Sequence, residues 1–216
     1  MFNRRGFLGT MAAGAAMSLT PAWLDAAPTR TVQGGPDAWL DKVKGKHRQL
    51  FDMSAHEDGL GLLHVRNWMS TYNTAFSTPD SDLSAVITLY GGTTPLAFND
   101  AMWAKYNLGA ALKVNDAKTN APLVRNMFYR PQDGDNFAFG FMDSGMEALQ
   151  KRGAICILCN NAWTIWSGML AKGMGTTGEA VKADLAANML PGVTVVPAMV
   201  IAVGKAQERG IAYMKL

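Results

Sequence analysis

Apolar and polar residues follow two alternating periodicities along most of the chain. Short apolar runs rich in β-branched residues predict buried strands, and apolar residues three or four positions apart predict helices. The predicted strands cover residues 49–54, 83–90, 154–158, 193–196 and 211–215. The predicted helices cover residues 59–76, 96–106, 144–152, 161–172, 179–189 and 198–209. Alternation of strands and helices is typical of a mostly parallel sheet, so we predict a flavodoxin-like three-layer α/β/α sandwich with about five strands.

Segments without either periodicity divide the chain. Residues 28–45 place glycines and prolines between charged residues and predict a linker, with one helical turn at 37–44. Residues 46–216 are the predicted folded domain. Inside it, residues 113–142 are polar and contain Pro122, Pro131, Gly134 and Gly140. This stretch predicts a long irregular excursion with a role in function or assembly.

The first 27 residues have the pattern of an export signal. Arg4 and Arg5 precede an uncharged run and are followed by Phe7 and Leu8, an arrangement that resembles the twin-arginine signal. The apolar core of residues 7–19 spans about 20 Å as a helix at about 1.5 Å per residue. A bilayer core is about 30 Å thick, so a transmembrane anchor is the weaker interpretation. The sequence predicts export to the periplasm, with membrane contact only where the signal peptide stays uncleaved.

The composition excludes several classes of protein. Hydrophobic residues make up 49% of the chain and charged residues 17%, which excludes global disorder. The net charge of +3 is too small to indicate a nucleic-acid partner. The chain has only 2 cysteines, so a four-cysteine metal site is excluded. Because phosphate-loop and dinucleotide-binding strings are also absent from the sequence, we expect no cofactor.

Cys159 is the main candidate for chemistry. It follows a predicted strand and precedes a helix for which Asn160 or Asn161 is the expected cap. Reactive groups of parallel sheets lie at this carboxyl edge, and the positive end of a helix favours a thiolate. Cys156, inside the strand, is expected to be a small core residue. An inert, buried Cys159 remains the competing interpretation.

A redox pair of both cysteines is a further alternative. In an extended strand the Cα atoms of Cys156 and Cys159 are about 10 Å apart at about 3.3 Å per residue. A disulfide requires about 7 Å or less between Cα atoms. The strand prediction therefore disfavours this pair without excluding it.

Two loops at the same edge supply weaker candidates. His56 follows the first strand, where pairing with Cys159, metal binding with Glu57 and Asp58, and a plain solvated loop are all open interpretations. Gly91 and Gly92 follow the second strand, where exposed amides would hold an anion or simply form a turn. No complete metal site is predicted.

Several strings carry a resemblance to a known family. They are CNNAW (159–163), MLPGVTVVPAMV (189–200), KAQERGIAYMK (205–215), HVRNWMSTYN (64–73) and TPLAFNDAMWAKYNLG (94–109). The region 46–216 resembles the DsrE/DsrF-like family of sulfur-relay proteins, most of all its exported members with a twin-arginine signal. The resemblance implies a flavodoxin-like fold, homo-oligomers and a cysteine at position 159 that carries persulfide sulfur between donor and acceptor proteins. Many members have Cys-Gly-Asn-Thr where this chain has Cys159 followed by Asn160, Asn161 and Ala162.

The sequence thus predicts an exported DsrE-like protein that binds or relays sulfane sulfur through one reactive cysteine. If it is an enzyme at all, it is a sulfur-transfer protein. The first alternative is a non-enzymatic ligand-binding or assembly module with an inert cysteine. The second is a thiol–disulfide redox partner that uses both cysteines.

Overall fold

A five-stranded sheet in which every strand runs parallel to its neighbours forms the centre of the protein. The computed structural model describes residues 35–216. The strands are β1 (His47–Asp52), β2 (Leu83–Leu89), β3 (Ile155–Cys159), β4 (Val193–Val196) and β5 (Ala212–Lys215). Their order across the sheet is β4-β3-β2-β1-β5. The predicted five-stranded parallel sheet is confirmed, with β1 beginning two residues earlier than the apolar pattern indicated.

Seven helices connect or flank these strands within the described residues. They are α1 (Leu60–Phe76), α2 (Asp100–Lys105), α3 (Leu108–Leu112), α4 (Met146–Lys151), α5 (Asn160–Met174), α6 (Gly178–Ala187) and α7 (Met199–Glu208). Short 3-10 helices cover Ala38–Lys42, Glu57–Gly59, Asp80–Asp82, Gly91–Ala97, Ala138–Gly140 and Met142–Ser144. None of the helices described is long and apolar enough to cross a membrane.

The helices form two unequal layers. Residues of α1, α4, α5 and α6 share one hydrophobic core on the first face of the sheet. Residues of α7 and of the 3-10 helix at Ala38–Lys42 share a second core on the opposite face. The direction of the connections explains this division. The chain steps from β1 to β4 in one direction, and right-handed crossovers place those helices on one face, whereas the return from β4 to β5 places α7 on the other. The flavodoxin-like three-layer α/β/α architecture predicted from the sequence is confirmed.

Part of the segment predicted as a linker packs against the sheet. Trp39 is 1% exposed and Leu40 is also buried, both in the core beneath α7. Lys42 Nζ donates a hydrogen bond to Thr194 Oγ1 in β4 at 3.0 Å. This stretch therefore belongs to the folded unit. The predicted signal peptide, with Arg4 and Arg5, lies outside the described residues.

The predicted helix over residues 96–106 is wrong at its start. Residues 91–97 form a 3-10 helix, and Phe98 is extended. Asn99 then caps α2 by accepting a hydrogen bond from the backbone N–H of Met102 at 3.2 Å. The asparagine at this position is a strong N-cap, so the helix begins there rather than where the apolar pattern begins.

Gly109 must be a glycine for steric reasons. It lies inside α3, and a Cβ atom built on it would be 2.2 Å from the backbone oxygen of Leu123. The glycine is needed because the excursion of residues 113–142 approaches α3 too closely for any side chain. That excursion is irregular, as predicted. Asn126 anchors it by donating hydrogen bonds to Leu96 O at 2.9 Å and Phe98 O at 2.8 Å.

Candidate functional site

Cys159 occupies the junction of β3 and α5. It is the last residue of the strand and also the N-cap of the helix. Its Sγ accepts a hydrogen bond from the backbone N–H of Ala162 at 3.5 Å. The predicted caps, Asn160 and Asn161, are instead the first two residues of the helix. The strand leads directly into α5 without a turn, so the cysteine itself takes the cap position.

A second helix begins at the same sulfur. The backbone N–H of Met199, the first residue of α7, donates to Cys159 Sγ at 3.3 Å. The register of the sheet brings the Met199 N–H to this sulfur, because Cys159 lies beside Val196 and α7 begins three residues after Val196. Neither α5 nor α7 has an acidic residue in its first turn. Two helix N-termini, neither with an acidic residue in its first turn, therefore face one sulfur, and helix N-termini stabilise negative charge.

The two cysteines lie on opposite faces of β3. Cys156 belongs to the core beneath α1, whereas Cys159, 6% exposed, belongs to the core beneath α7. Burial raises the pKa of Cys156 to about 12, although a hydrogen bond with Gln150 opposes the shift. Both thiols are free. A disulfide between them would require β3 to leave its extended conformation.

Lys182 in α6 places a positive charge beside the start of α5. Its Nζ donates to Asn160 Oδ1 at 2.8 Å and to Thr164 Oγ1 at 2.7 Å, and lies 4.9 Å from the centre of the Trp163 ring. Burial lowers the pKa of this lysine. Within residues 35–216 it forms no ion pair with a carboxylate. Asn160 thus joins the predicted site, while Asn161 is exposed at the surface. Sequence reasoning missed Lys182 because its spacing is that of an ordinary surface lysine on a helix.

Tyr90 extends the site along the carboxyl edge of the sheet. Leu89 pairs with Leu158 in the parallel register, and Tyr90 remains extended, so it lies beside Cys159 about 5 Å away between Cα atoms. Tyr90 packs against the same core as Cys159. Residues on neighbouring strands are brought together here by register alone.

A polar network continues from Tyr90 to the edge strand β5. Lys215 Nζ donates to Tyr90 Oη at 3.0 Å and lies 3.3 Å from Asp52 Oδ2, to which Tyr213 Oη also donates at 2.6 Å. Burial alone would raise the pKa of Asp52. Hydrogen bonds with Tyr213, Tyr90 and Lys215 outweigh that effect and hold the pKa below its usual value. The network neutralises the buried Asp52 carboxylate and links β5 to Tyr90 beside Cys159.

His56 is engaged locally and does not pair with Cys159. Its Nδ1 accepts from the backbone N–H of Asp58 at 3.2 Å, and its Nε2 lies 3.1 Å from Leu112 O. Its ring packs against Phe128 with centres 5.2 Å apart. Across residues 35–216, no three His, Cys, Asp or Glu side chains come together in a way that would hold a metal ion. The structure therefore supports neither the pairing of His56 with Cys159 nor metal binding by His56 with Glu57 and Asp58.

Gly91 and Gly92 form a tight contact with the loop after β1. The backbone N–H of Gly92 donates to Ser54 O at 2.8 Å, and Gly91 O accepts from Trp166 Nε1 at 2.8 Å. A Cβ atom on either glycine would be 3.1 Å from Ser54 O. The expectation that the Gly92 amide is open to an anion is wrong, because the fold already uses it.

Comparisons with known proteins add little to this description. No protein-family model matches the chain, and no curated protein matches it either. The chain is similar to a solved structure of MTH1491, a protein of unknown function from Methanobacterium thermoautotrophicum, at 14% sequence identity and a TM-score of 0.40. The match covers 79% of this chain and 99% of that one.

Proposed function

We propose that this protein binds and relays sulfane sulfur through Cys159, as the DsrE/DsrF-like proteins that its sequence resembles do. The observation that carries the proposal is the pair of backbone N–H groups, from Ala162 and Met199, that donate to one sulfur. Such donors stabilise a sulfur that gains and loses negative charge during transfer. The uncompensated Lys182 beside Asn160 favours the same charge.

Sulfane sulfur is transferred in two successive exchange reactions, each at a sulfur atom. In the first, the thiolate of Cys159 attacks the outer sulfur of a donor persulfide. The new S–S bond forms as the donor's own S–S bond breaks, and the donor leaves as a thiolate. In the second, an acceptor thiolate attacks the outer sulfur on Cys159, and the Cys159 thiolate leaves. No net oxidation occurs, so neither step needs an electron acceptor.

The chain's own groups have distinct roles in these steps. The amides at the starts of α5 and α7 stabilise Cys159 when it attacks and when it leaves. Lys182 supports an anionic outer sulfur through its charge. We further propose that this chemistry takes place in the periplasm, since the N-terminal pattern is that of an export signal, and that the protein assembles into homo-oligomers.

A non-enzymatic binding module with an inert Cys159 is the second candidate. The burial of the cysteine, 6% exposed, favours it. In that case the sulfur is a structural acceptor that caps α5 and holds the start of α7. The sulfur-relay function requires a local opening at Met199 that exposes the Cys159 sulfur. The binding module requires no such opening.

Persulfide loading separates the two candidates. The purified protein and its Cys159→Ser and Cys156→Ser variants are treated with polysulfide and analysed by mass spectrometry. We expect added sulfur on the unchanged protein and on Cys156→Ser, and none on Cys159→Ser. Equal loading of both cysteines, or of neither, would rule out the relay function and favour the binding module. Circular dichroism confirms that each variant is folded.

A further inference from the structure

The sulfur of Cys159 is enclosed by the starts of two helices. The residue is buried, and its Sγ accepts the N–H of Ala162 at the start of α5 and the N–H of Met199 at the start of α7. A second sulfur bonded to Sγ would lie about 2 Å from it. Protein interiors are packed too closely to receive an extra atom without movement. One of the two helix starts therefore has to move when Cys159 is loaded with sulfur.

Side-chain hydrogen bonds hold the start of α5. Lys182 of α6 donates to Asn160 Oδ1 at 2.8 Å and to Thr164 Oγ1 at 2.7 Å, and Thr164 Oγ1 donates to Asn160 O at 2.9 Å. β3 also leads into α5 without a turn, so Cys159 and Ala162 belong to one continuous stretch of backbone. Movement of this helix start would break these bonds and distort the end of β3.

The start of α7 is held less firmly. Its N-cap is Ala198, which makes no side-chain cap hydrogen bond, and alanine is among the poorest N-caps. Val200 is 80% exposed and Ile201 is also exposed, so these two residues bury little apolar surface. Among the described residues, the only side chain that forms a hydrogen bond with this turn is that of Cys159 itself. The start of α7 is therefore the one that moves more easily.

We propose that the first turn of α7, residues 199–202, is a gate that moves aside when Cys159 carries a second sulfur. In the closed gate, the Met199 N–H donates to Sγ and the Ala202 N–H donates to Ala198 O at 3.1 Å. Opening breaks both bonds and admits the sulfur donor. The second sulfur collides with the closed gate and not with the open one, so it shifts the equilibrium towards the open form until an acceptor removes it.

The gate rests on the proposed sulfur relay and regulates its cysteine. The closed gate shields the unloaded thiolate, so unrelated thiol reagents reach it slowly. The open gate exposes the outer sulfur of the loaded protein, so an acceptor thiolate can attack it. Loading of Cys159 and exposure of its sulfur are thus coupled through one helix turn, and the loaded and unloaded proteins differ in conformation as well as in composition.

Hydrogen exchange of the full chain, before and after labelling with methyl methanethiosulfonate, tests the gate. The Cys159 thiolate attacks the S–CH3 sulfur of this reagent, an S–S bond forms and methanesulfinate leaves, so Sγ gains a second sulfur whether or not the protein relays sulfur. We expect the amides of residues 199–203 to exchange roughly three- to tenfold faster in the labelled protein, as the loss of one hydrogen bond implies. The amides of residues 162–166, at the start of α5, should keep their rates. Peptide-resolved mass spectrometry measures both and locates the label.

Each outcome decides for or against the gate. Unchanged exchange at residues 199–203 in the labelled protein would show that the closed form holds a second sulfur. Faster exchange at residues 162–166 instead would show that α5 moves, and an unlabelled Cys159 would show that the gate stays shut. All three overturn the proposal. Loading by polysulfide tests the relay separately, because sulfur on Cys159 with unchanged α7 exchange would remove the gate and leave the relay.

Ala198→Ser tests the weak cap of the gate. A serine at the N-cap accepts a hydrogen bond from the N–H of Val200 or Ile201, and the open gate loses that bond. Labelling of Cys159 by methyl methanethiosulfonate should therefore be roughly fivefold slower in this variant. Ala104→Ser makes the same change at an exposed position of α2 and should leave the rate unchanged. Equal rates in the two variants would mean that reagents reach the sulfur without opening α7, which contradicts the gate.

Discussion

Met199 donates its backbone N–H to the sulfur of Cys159 at 3.3 Å, although 40 residues separate them in the chain. The contact places the start of α7 directly over the end of β3. With the N–H of Ala162 on the other side, the sulfur has two helix starts as neighbours. Access to the sulfur and the charge that it experiences both depend on this contact.

Cys159 should prefer anionic reagents. Iodoacetate and iodoacetamide alkylate thiols by the same reaction and are similar in size, so the ratio of their rates reports the local charge rather than access. We expect Lys182→Met to lower the iodoacetate-to-iodoacetamide ratio roughly two- to fivefold, for a screened interaction on the order of 0.5–1 kcal/mol. The measurement is alkylation followed by mass spectrometry at low salt, where screening is weakest.

Lys172→Met is the matched control for this experiment. Lys172 lies in the last turn of α5, about 18 Å along the helix from its start. It should leave the ratio unchanged. A ratio that is equally insensitive to both substitutions would remove Lys182 from the site.

Cys156→Ser should weaken the fold without changing the reactivity of Cys159. Cys156 is 0% exposed inside β3, and the variant buries a hydroxyl there at a cost of roughly 1–3 kcal/mol. Urea denaturation should show the loss, and alkylation of Cys159 under native conditions should keep its rate. Unchanged stability would contradict the predicted cost and would mean that the hydroxyl keeps the hydrogen bond that Gln150 of α4 makes with the Cys156 thiol.

The Asp52 network should make stability depend on pH at the acid end. Because the folded-state pKa of Asp52 lies below its usual value, the network's contribution is present above about pH 4, where the unfolded carboxyl is ionised. It is lost as the pH falls through the lower folded-state pKa. Asp52→Asn should cost roughly 1.5–3 kcal/mol at neutral pH, the usual value of hydrogen bonds to a charged group.

Denaturant titrations from neutral pH to pH 3 test whether the network's contribution to stability falls as the pH falls. The difference in free energy of unfolding between the unchanged protein and Asp52→Asn should shrink as the solution becomes more acidic. Glu147→Gln is a useful comparison because the partly exposed Glu147 carboxylate pairs with Arg130 and Lys151, which lower its pKa to about 2. A constant Asp52 difference across this range would contradict the assigned network.

Trp39→Ala should destabilise the domain strongly. Trp39 lies before β1 but is buried beneath α7, and truncation of a buried tryptophan costs roughly 3–5 kcal/mol. Asp41→Ala, an exposed position in the same 3-10 helix, should have little effect. Equal and small effects of both substitutions in urea denaturation would show that the segment is a linker after all.

Export should depend on the pair Arg4 and Arg5. Replacing both by lysine keeps their charge but removes the guanidinium groups, so we expect the variant to remain in the cytoplasm. Fractionation of cells and immunodetection of the protein measure this. A variant in which only Lys44 is changed should be exported normally, and periplasmic recovery of the double-lysine variant would refute the signal.

The local patterns of the sequence were sufficient to predict most of the elements. β4 has the predicted bounds, and α1 begins one residue after the predicted start. The position of Cys159 between a strand and a helix was also predictable. These features depend on apolar runs and helical periodicity over a few neighbouring residues, so no distant contact is needed to recognise them. The capping role of the cysteine was missed because it depends on the backbone angles where β3 ends.

The surroundings of Cys159 were decided only by the tertiary structure. The N–H of Met199 reaches the sulfur because β3 and β4 pair in one register and α7 begins directly above it. Lys182 reaches Asn160 because α5 and α6 pack together, and Trp39 is buried because a second layer covers the sheet. Each contact joins segments that are distant in the chain. Strand register and helix packing select such partners, and neither is encoded in the periodicity of any single segment.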